Sequence, residues 1–386
     1  MGLLFFSWDM ESKQKHSSSE EDAWIILNGI PHLGPVTLRR LFDHFGPDPS
    51  TILSASEREL TGVEGVGPKI ARAIRAWDEH FDLEREKRSI AKHNARFIRQ
   101  TDPDYPAPLL EIYDPPIGLY SLGEMCFRDP SVAIIGSRRT TLYGLRTAKE
   151  IAAGLARRGI CIVSGLARGI DAAAHEGALE VGGRTIAVLG NGADIVYPPE
   201  NLELFQQIRA EGTILSEFPF GYRANRQTFP MRNRIVAGMC QAILVVETDI
   251  SGGSLITARF AGEQGRQVMA IPGRIDQSTS AGCHQLIRDG ATLVTSADEI
   301  LEELRVGELP LGDAQPQRSE TSSADLSDLT PDETTIMETL QGGEILHPDQ
   351  IANATSLPSS TVNSTLLLLE LRRFVRKRGD GRFETR

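Results

Sequence analysis

An α/β fold built on a doubly wound, mostly parallel sheet, with a helical domain before it and a winged helix after it, is the architecture that three observations predict. Short β-rich runs alternate with helical patterns or loops from Val132 to Val294, which places parallel strands beneath crossover helices. Ahead of them, two similar glycine-bearing units begin at Gly29 and Gly62 and read as helix-hairpin-helix elements, the second more clearly than the first. Behind them, three helical patterns lead to a Gly379-Asp-Gly turn between two short strands, the order of a winged helix.

Bulk composition sets outer limits. The 386 residues suffice for roughly two to four domains and at least one large core. With 52 acidic against 41 basic residues the net charge is -11, so any nucleic-acid site has to be local rather than a general positive coat. Cys126, Cys161, Cys240 and Cys283 lie far apart, form no C-x-x-C pair, and mostly fall in apolar segments, as expected of a reducing cytosol without a zinc site. Leu3 to Trp8 is short and lacks a basic lead-in, which makes it a poor signal peptide. No stretch approaches the roughly 20 apolar residues of a membrane span, so a cytoplasmic protein is expected.

Glu11 to Asp22 is polar, rich in serine, lysine and glutamate, and residues 1–22 are read as a disordered lead-in. Residues 23–83 hold the two hairpins. In the second, Gly65 and Gly67 flank Val66 in a short turn, while Ile70, Ala71 and Ile74 give the next helix a buried face. Amides of such a turn can meet a nucleic-acid phosphate without reading sequence, and Lys69 would add charge. The alternative is a domain that uses its hairpins only for packing, and Glu64 in the turn leans that way. Glu84 to Arg99 reads as a charged helical run feeding Phe97 and Ile98, and proline-rich Thr101 to Gly123 as a connector packed on the next domain.

The sheet domain, residues 84–305, carries the chemistry at the ends of its strands, where ligands of doubly wound sheets bind. Val132 to Ile135 is followed by Gly136, Ser137, Arg138 and Arg139, and arginine forks suit phosphate oxygens. Cys161 to His175 reads as strand, tight loop and helix: Ser164 and Gly165 end the strand, Arg168 stands between Gly165 and Gly169, and Asp171 opens the helix. Glycine lets the backbone approach a ligand, and the helix start favours an anion. Asp171 is a cap or a ligand; a cap that shapes the loop is the preferred reading. His175, one turn later on the same face, is expected to make a structural hydrogen bond rather than to catalyse, because no nucleophile stands with it.

Further on, Phe229-Pro-Met-Arg-Asn-Arg supplies Arg232, Asn233 and Arg234. These arginines either hold an anion or pair with Glu217 or Glu247. Ser251, Gly252, Gly253, Ser254 and Thr257 form another glycine-rich turn into a helix, read either as an anion site or as plain caps. Several anion-receptive turns on one sheet edge imply a polyanion, or one nucleotide held at several points. No G-x-G-x-x-G is present, so no dinucleotide cofactor is indicated; no metal and no catalytic residue is assigned.

Residues 306–329 read as a flexible linker and residues 330–386 as the winged helix. Its last segment is the most basic of the chain. Arg376, Lys377 and Arg378 are candidates for phosphate contact through the wing, against the alternative of a protein-docking module with a charged solvated face. Small polar residues Ser359 to Asn363 on the third helix argue against strong sequence readout.

On these residues the chain resembles the DNA-processing protein A (DprA/Smf) family. The resemblance is strong from about Asp102 to Leu304 and looser in the flanking modules. Its carriers are Gly136-Ser-Arg, Ser164-Gly-Leu-Ala-Arg-Gly-Ile-Asp with His175, Tyr197-Pro with Asn201, Ser216-Glu, Phe229-Pro-Met-Arg-Asn-Arg, Ser251-Gly-Gly-Ser-Leu-Ile-Thr, Pro272-Gly, and Leu286-Ile with Gly290-Ala. Cys283-His284 departs from the more usual hydroxyl residue and asparagine. The resemblance implies an extended Rossmann-like domain between a helix-hairpin-helix or SAM-like domain and a winged helix. It also implies a non-enzymatic cytoplasmic homodimer that protects incoming single-stranded DNA in natural transformation and loads RecA recombinase onto it, with Arg138 and Arg168 in the phosphate pocket.

Two other readings belong to different classes. Phosphoribohydrolases of related Rossmann-like fold, nucleotide-cleaving enzymes, typically carry P-G-G-x-G-T-x-x-E where this chain has Ser251-Gly-Gly-Ser-Leu-Ile-Thr-Ala, without the glutamate at that offset. A pure adaptor would use the winged helix to dock a partner.

Overall fold

A computed structural model of the chain describes residues 20–124, 127, 130–304, 330–340, 346–355, 357–372, 374–377 and 382–385. The chain divides into two compact units, parted at residues 309 and 310.

The first unit opens with seven helices: α1 (Glu20–Gly29), α2 (Pro35–Phe45), α3 (Pro49–Ser54), α4 (Glu57–Thr61), α5 (Pro68–Arg75), α6 (Trp77–His80) and α7 (Leu83–His93). Helix α1 corrects one expectation, since Glu20, Glu21 and Asp22 are its acidic first turn rather than the end of a lead-in. Negative charge there matches the positive end of the helix dipole, and Lys87 of α7 ties Asp22 down at 2.9 Å. The remainder of the expected lead-in lies outside the described residues.

Nine strands follow: β1 (Arg96–Arg99), β2 (Gly118–Gly123), β3 (Ser131–Ile135), β4 (Cys161–Ser164), β5 (Thr185–Leu189), β6 (Thr213–Ser216), β7 (Ala242–Val245), β8 (Gln267–Ala270) and β9 (Thr292–Leu293). They form one sheet in the order β1-β2-β6-β5-β4-β3-β7-β8-β9. The seven apolar runs from Val132 to Val294 are β3 to β9, and every pairing among them is parallel. Strands β1 and β2 differ from the sequence expectation, which gives the first as the end of a charged helical run and the second as part of a connector. Both are strands because Phe97 and Ile98, and Leu119 to Leu122, are buried, while the prolines fall between the two runs. They pair antiparallel, and β2 extends the sheet antiparallel to β6.

Strand residues alternate between two apolar layers. Ala133, Val163, Ile243 and Val245 face a core shared with α11 (Thr228–Gly238), α12 (Ser254–Glu263) and α13 (Ser278–Arg288). Val132, Ile134, Ile162 and Leu244 face the other side, under α8 (Leu142–Arg157), α9 (Ile170–Leu179) and α14 (Ala297–Glu303). Burial on both faces explains the unbroken apolar runs, each such side chain stabilising the fold by about 1.5–3 kcal/mol. The helical segment does not stand apart from the sheet. Trp24, Ile26 and Leu27 of α1 share one core with Tyr120, Leu189, Ile214 and the helix α10 (Leu202–Glu211).

The second unit contains α15 (Pro331–Leu340), α16 (Pro348–Thr355), α17 (Ser359–Leu371), β10 (Val375–Lys377) and β11 (Phe383–Thr385). Thr330 and Glu333 exchange capping bonds at the start of α15, at 2.8 and 3.3 Å. Ile336, Ile351, Leu366, Val375 and Phe383 close a separate core, and Leu346 bridges Phe383. Three helices and an antiparallel hairpin make this unit a winged helix. The expected linker, residues 306–329, lies outside the described residues.

Candidate functional site

Strand β3 has β4 on one side and β7 on the other, so the chain reverses its winding between β3 and β7. Loops leaving the carboxyl ends of these strands part there and leave a crevice. The cleft at that point has a volume of about 430 Å³.

Its first wall is the loop after β3. Gly136 is pressed against Ile170 and the Glu247 carbonyl, leaving no room for a Cβ. The Ser137 amide donates to the Glu247 carbonyl at 2.6 Å, and the Ser137 hydroxyl accepts from the Arg139 amide at 3.0 Å. Buried Glu247 accepts from the hydroxyls of Thr140 and Thr141 at 2.5 and 2.6 Å and from the Thr141 amide at 2.9 Å. Thr141 in turn caps α8 through the Gly144 amide. The loop is thus held from beneath, which frees Arg138 and Arg139 to stand exposed at its tip. The Arg138 guanidinium lies 5.0 Å from the centre of the Phe229 ring, a cation–π pairing, and the Tyr197 ring packs tilted against Phe229 with centres 5.8 Å apart.

The loop after β4 departs from its expected role. Ser164 is fully buried and donates to the Ile134 carbonyl at 2.6 Å, so it offers the cleft no hydroxyl. The amides of Gly165 and Ala167, expected to meet an anion, donate instead to Asp171 at 3.1 and 3.4 Å. Asp171 therefore caps the loop rather than its own helix. Burial holds its carboxyl above the usual carboxylate range, an effect opposed by Arg232 and by these two amides. Gly165 admits an arginine, not a ligand: a Cβ there would sit 1.8 Å from Nη1 of Arg232. That buried guanidinium donates to the carbonyls of Gly165 and Val188 at 2.6 and 2.7 Å and pairs with neither Glu217 nor Glu247. Gly169 has φ +77° and lies against the Ser137 carbonyl, bringing the second loop onto the first. Arg168 is exposed and ion-paired with Glu200, and it lines a small recess beside the cleft with Tyr197 and Phe229.

His175 is fully buried. The Thr185 hydroxyl donates to the Ile162 carbonyl, so it accepts from Nδ1 of His175 at 2.7 Å. Burial and the nearby Arg232 push the imidazole down to about 3, which keeps it neutral.

Opposite stands the turn after β7. Asp249 accepts from the amide and hydroxyl of Ser251 at 2.8 and 2.9 Å, so Ser251 is spent within the turn. Ser254 donates to Thr248 at 2.7 Å. Gly253, the N-cap of α12, has no side chain to engage the first amides of that helix, and Gly252, Gly253, Ser254 and Thr257 line the cleft.

Of the expected residues the fold therefore gathers Gly136 to Arg139, Gly165, Asp171, Arg232, Asn233, Gly252 to Ser254 and Thr257 around one cleft. Ser164 and Ser251 are turned to internal bonds, and Arg168 stands at the margin. Arg234 does not line the cleft, because one further step of about 100° along α11 turns it away from the face that carries Asn233. There it forms a buried pair with Glu217 at 2.5 Å and reaches Asp114 at 3.3 Å. Arg226, Phe229 and Ile256 also line the cleft and were missed. The sequence reading of the Phe229 segment rests on its arginines, and the ring that opens the segment also lines the cleft.

Away from the cleft, Gly65 has φ +86°, and Gly67 and Lys69 are exposed at the start of α5. Arg40 pairs with Glu64 at 3.3 Å and offsets the acid in that turn. In the winged helix, Arg376 and Lys377 fall on β10, opposite Glu384 and Phe383, and Arg378 lies outside the described residues. Among the described residues no helix is long and apolar enough to cross a membrane.

Comparison with known proteins places these features in context. Residues 96–305 match the family described as DNA recombination-mediator protein A, residues 320–381 match the DprA winged helix domain, and residues 25–88 match a helix-hairpin-helix motif. The chain is 37% identical over 401 residues to Protein Smf of Synechocystis sp. (strain ATCC 27184 / PCC 6803 / Kazusa), covering 96% of this chain and 100% of that relative. It is 45% identical over 203 residues to DNA processing protein DprA of Streptococcus pneumoniae (strain ATCC BAA-255 / R6), covering 52% and 72% of the two chains. The crystal structure of DNA processing protein A from Streptococcus pneumoniae superposes with a TM-score of 0.65 at 35% identity, over 73% of this chain and 97% of that one. A Helicobacter pylori DNA processing protein A, solved for its single-stranded DNA binding mode, gives 0.51 at 30% identity over 55% and 96%.

Proposed function

The chain belongs to the DNA recombination-mediator protein A (DprA/Smf) family, and on that premise we propose that it binds single-stranded DNA in the cleft between β3 and β7, protects incoming strands during natural transformation and hands them to RecA recombinase. The observation that carries the reading is the cleft itself. Arg138, Arg139 and Arg226 line it, α12 opens onto it without a side-chain cap, and Phe229 stands under Arg138. Cations and helix amides suit phosphates; an aromatic ring suits a base; nothing in that combination reads sequence.

The reading is one of binding rather than catalysis. Asp171 is committed to two loop amides, and buried neutral His175 is committed to Thr185. The hydroxyl that His175 meets, that of Thr185, is fully buried and gives its proton to the Ile162 carbonyl at 2.7 Å. RecA loading, the homodimer and the cytoplasmic setting rest on family membership.

The test is a binding titration with single-stranded and duplex DNA over a range of salt, using the full chain and Arg138→Ala/Arg168→Ala. Tight binding to single strands that weakens with salt and collapses in the variant is expected. Equal affinity of variant and parent would reject the cleft as the site.

A further inference from the structure

The cleft has a neighbour across the segment Gly221 to Gln227. Arg226 lines the cleft, while Gly221, Tyr222 and Gln227 line a second cavity of about 580 Å³ that also meets Arg85 of α7 and His32 after α1. One short segment is therefore the wall between two cavities. It is fixed in place: Gly192 donates to the Tyr222 carbonyl at 2.8 Å, Gly221 donates to Asp194 at 2.8 Å, and Asn225 accepts from the amides of Gln227 and Thr228 at 2.8 and 3.2 Å.

What this ledge exposes is informative. Tyr222 is 43% exposed and stacks one face on Phe218, with ring centres 5.1 Å apart and planes at 21°. A tyrosine serving only as a lid on the core would bury its ring. Arg223 and Arg226 are exposed on either side of Ala224 and Asn225, and neither has an ion-pair partner among the described residues. An open aromatic face beside free cations is the composition with which single-strand binders hold bases and backbone without reading sequence.

We propose that the strand leaves the cleft past Arg226 and continues over this ledge, one base stacking on Tyr222 and the adjoining phosphates held by Arg223 and Arg226. This extension rests on the single-strand reading of the cleft. The second cavity is mixed in charge: Arg85 and His32 line it beside Asp82, Glu86 and Glu217, with Glu86 engaged by the Phe220 amide and Glu217 by Arg234. The ledge, by contrast, presents Arg223 and Arg226 exposed, and a strand following it meets arginines.

The experiment is a fluorescence-anisotropy titration of the full chain with oligothymidines graded from about 4 to about 24 nucleotides, a range that brackets the usual single-strand site sizes. Tyr222→Ala is expected to weaken the longer strands by about five- to tenfold and to leave the shortest that bind unchanged. Tyr222→Phe is expected to bind like the parent, and Arg223→Ala to reduce the salt slope for long strands by about 0.7. Equal loss at every length, or no loss at any length, overturns the ledge. Arg138→Ala separates the two levels of the argument. If it weakens all lengths while the Tyr222 and Arg223 variants are silent, the ledge alone fails; if it is silent as well, the single-strand reading of the cleft fails.

Discussion

Replacing Arg138 with alanine is the sharpest test of the cleft. The side chain is exposed at a loop tip that is held by Glu247, Thr140 and Thr141 rather than by Arg138 itself, so folding is expected to change by less than about 0.5 kcal/mol. Two contacts of the side chain have to be weighed. A charge-assisted hydrogen bond to phosphate contributes about 1.5–3 kcal/mol. Phe229, 5.0 Å away, loses its cationic partner, but that pairing exists in the free protein too and largely cancels in the difference. The expected effect is about 10- to 150-fold weaker binding at fixed salt. One fewer phosphate neutralised also lowers the slope of log affinity against log salt by about 0.7. Anisotropy titrations at four or more salt concentrations read both quantities, and thermal melts confirm the fold. A folded variant with unchanged affinity and slope would mean that Arg138 meets no phosphate.

Three further outcomes follow from the same geometry. Gly165→Ala drives a Cβ into the Arg232 guanidinium at 1.8 Å and displaces a buried cation from two carbonyls, so stability falls by at least about 3 kcal/mol in urea denaturation; an alanine tolerated there would contradict the packing of Arg232. Glu200→Gln releases Arg168 at the edge of the cleft and tightens single-strand binding by about two- to fivefold at low salt, and the gain vanishes in an Arg168→Ala background; a gain that persists there would reflect net charge alone. His175 has a folded value of about 3, below its ordinary value, so the unfolded chain binds more protons in the acid range. Its stabilising contribution is therefore full above about pH 6.5 and falls as the pH drops toward 3, at up to about 1.4 kcal/mol per unit. His175→Gln should flatten the urea midpoint between about pH 6.5 and 5, and an unchanged slope in that window would remove the histidine from the account.

Much of this molecule is legible in its sequence because the physics there is local. Apolar runs such as Ile160 to Val163 must be buried on both faces, and their alternation with helices dictates a parallel sheet before any contact is known. Strands β1 and β2 escaped the same reading because they pair antiparallel at the sheet edge, between charges and prolines. Their burial depends on α1 and α10, partners distant in sequence and decided by tertiary packing.

The site divides along a similar line. Glycine and hydroxyl residues at strand ends mark where a chain turns sharply, and the loops after β3, β4 and β7 do turn there. What the local pattern does not carry is what fills the space each glycine leaves. At Gly165 the occupant is Arg232, 67 residues on; at Gly169 it is the Ser137 carbonyl; and the amides released by the turn are taken by Asp171. The loop from Cys161 to His175 is thus the keystone beneath the cleft. Its own arginine, Arg168, is held at the margin by Glu200, while the exposed cations stand on the loops braced against it. Substitutions in this loop should therefore act on the shape of the cleft, changing stability and affinity together, whereas substitutions at Arg138, Arg226 or Phe229 should change affinity alone.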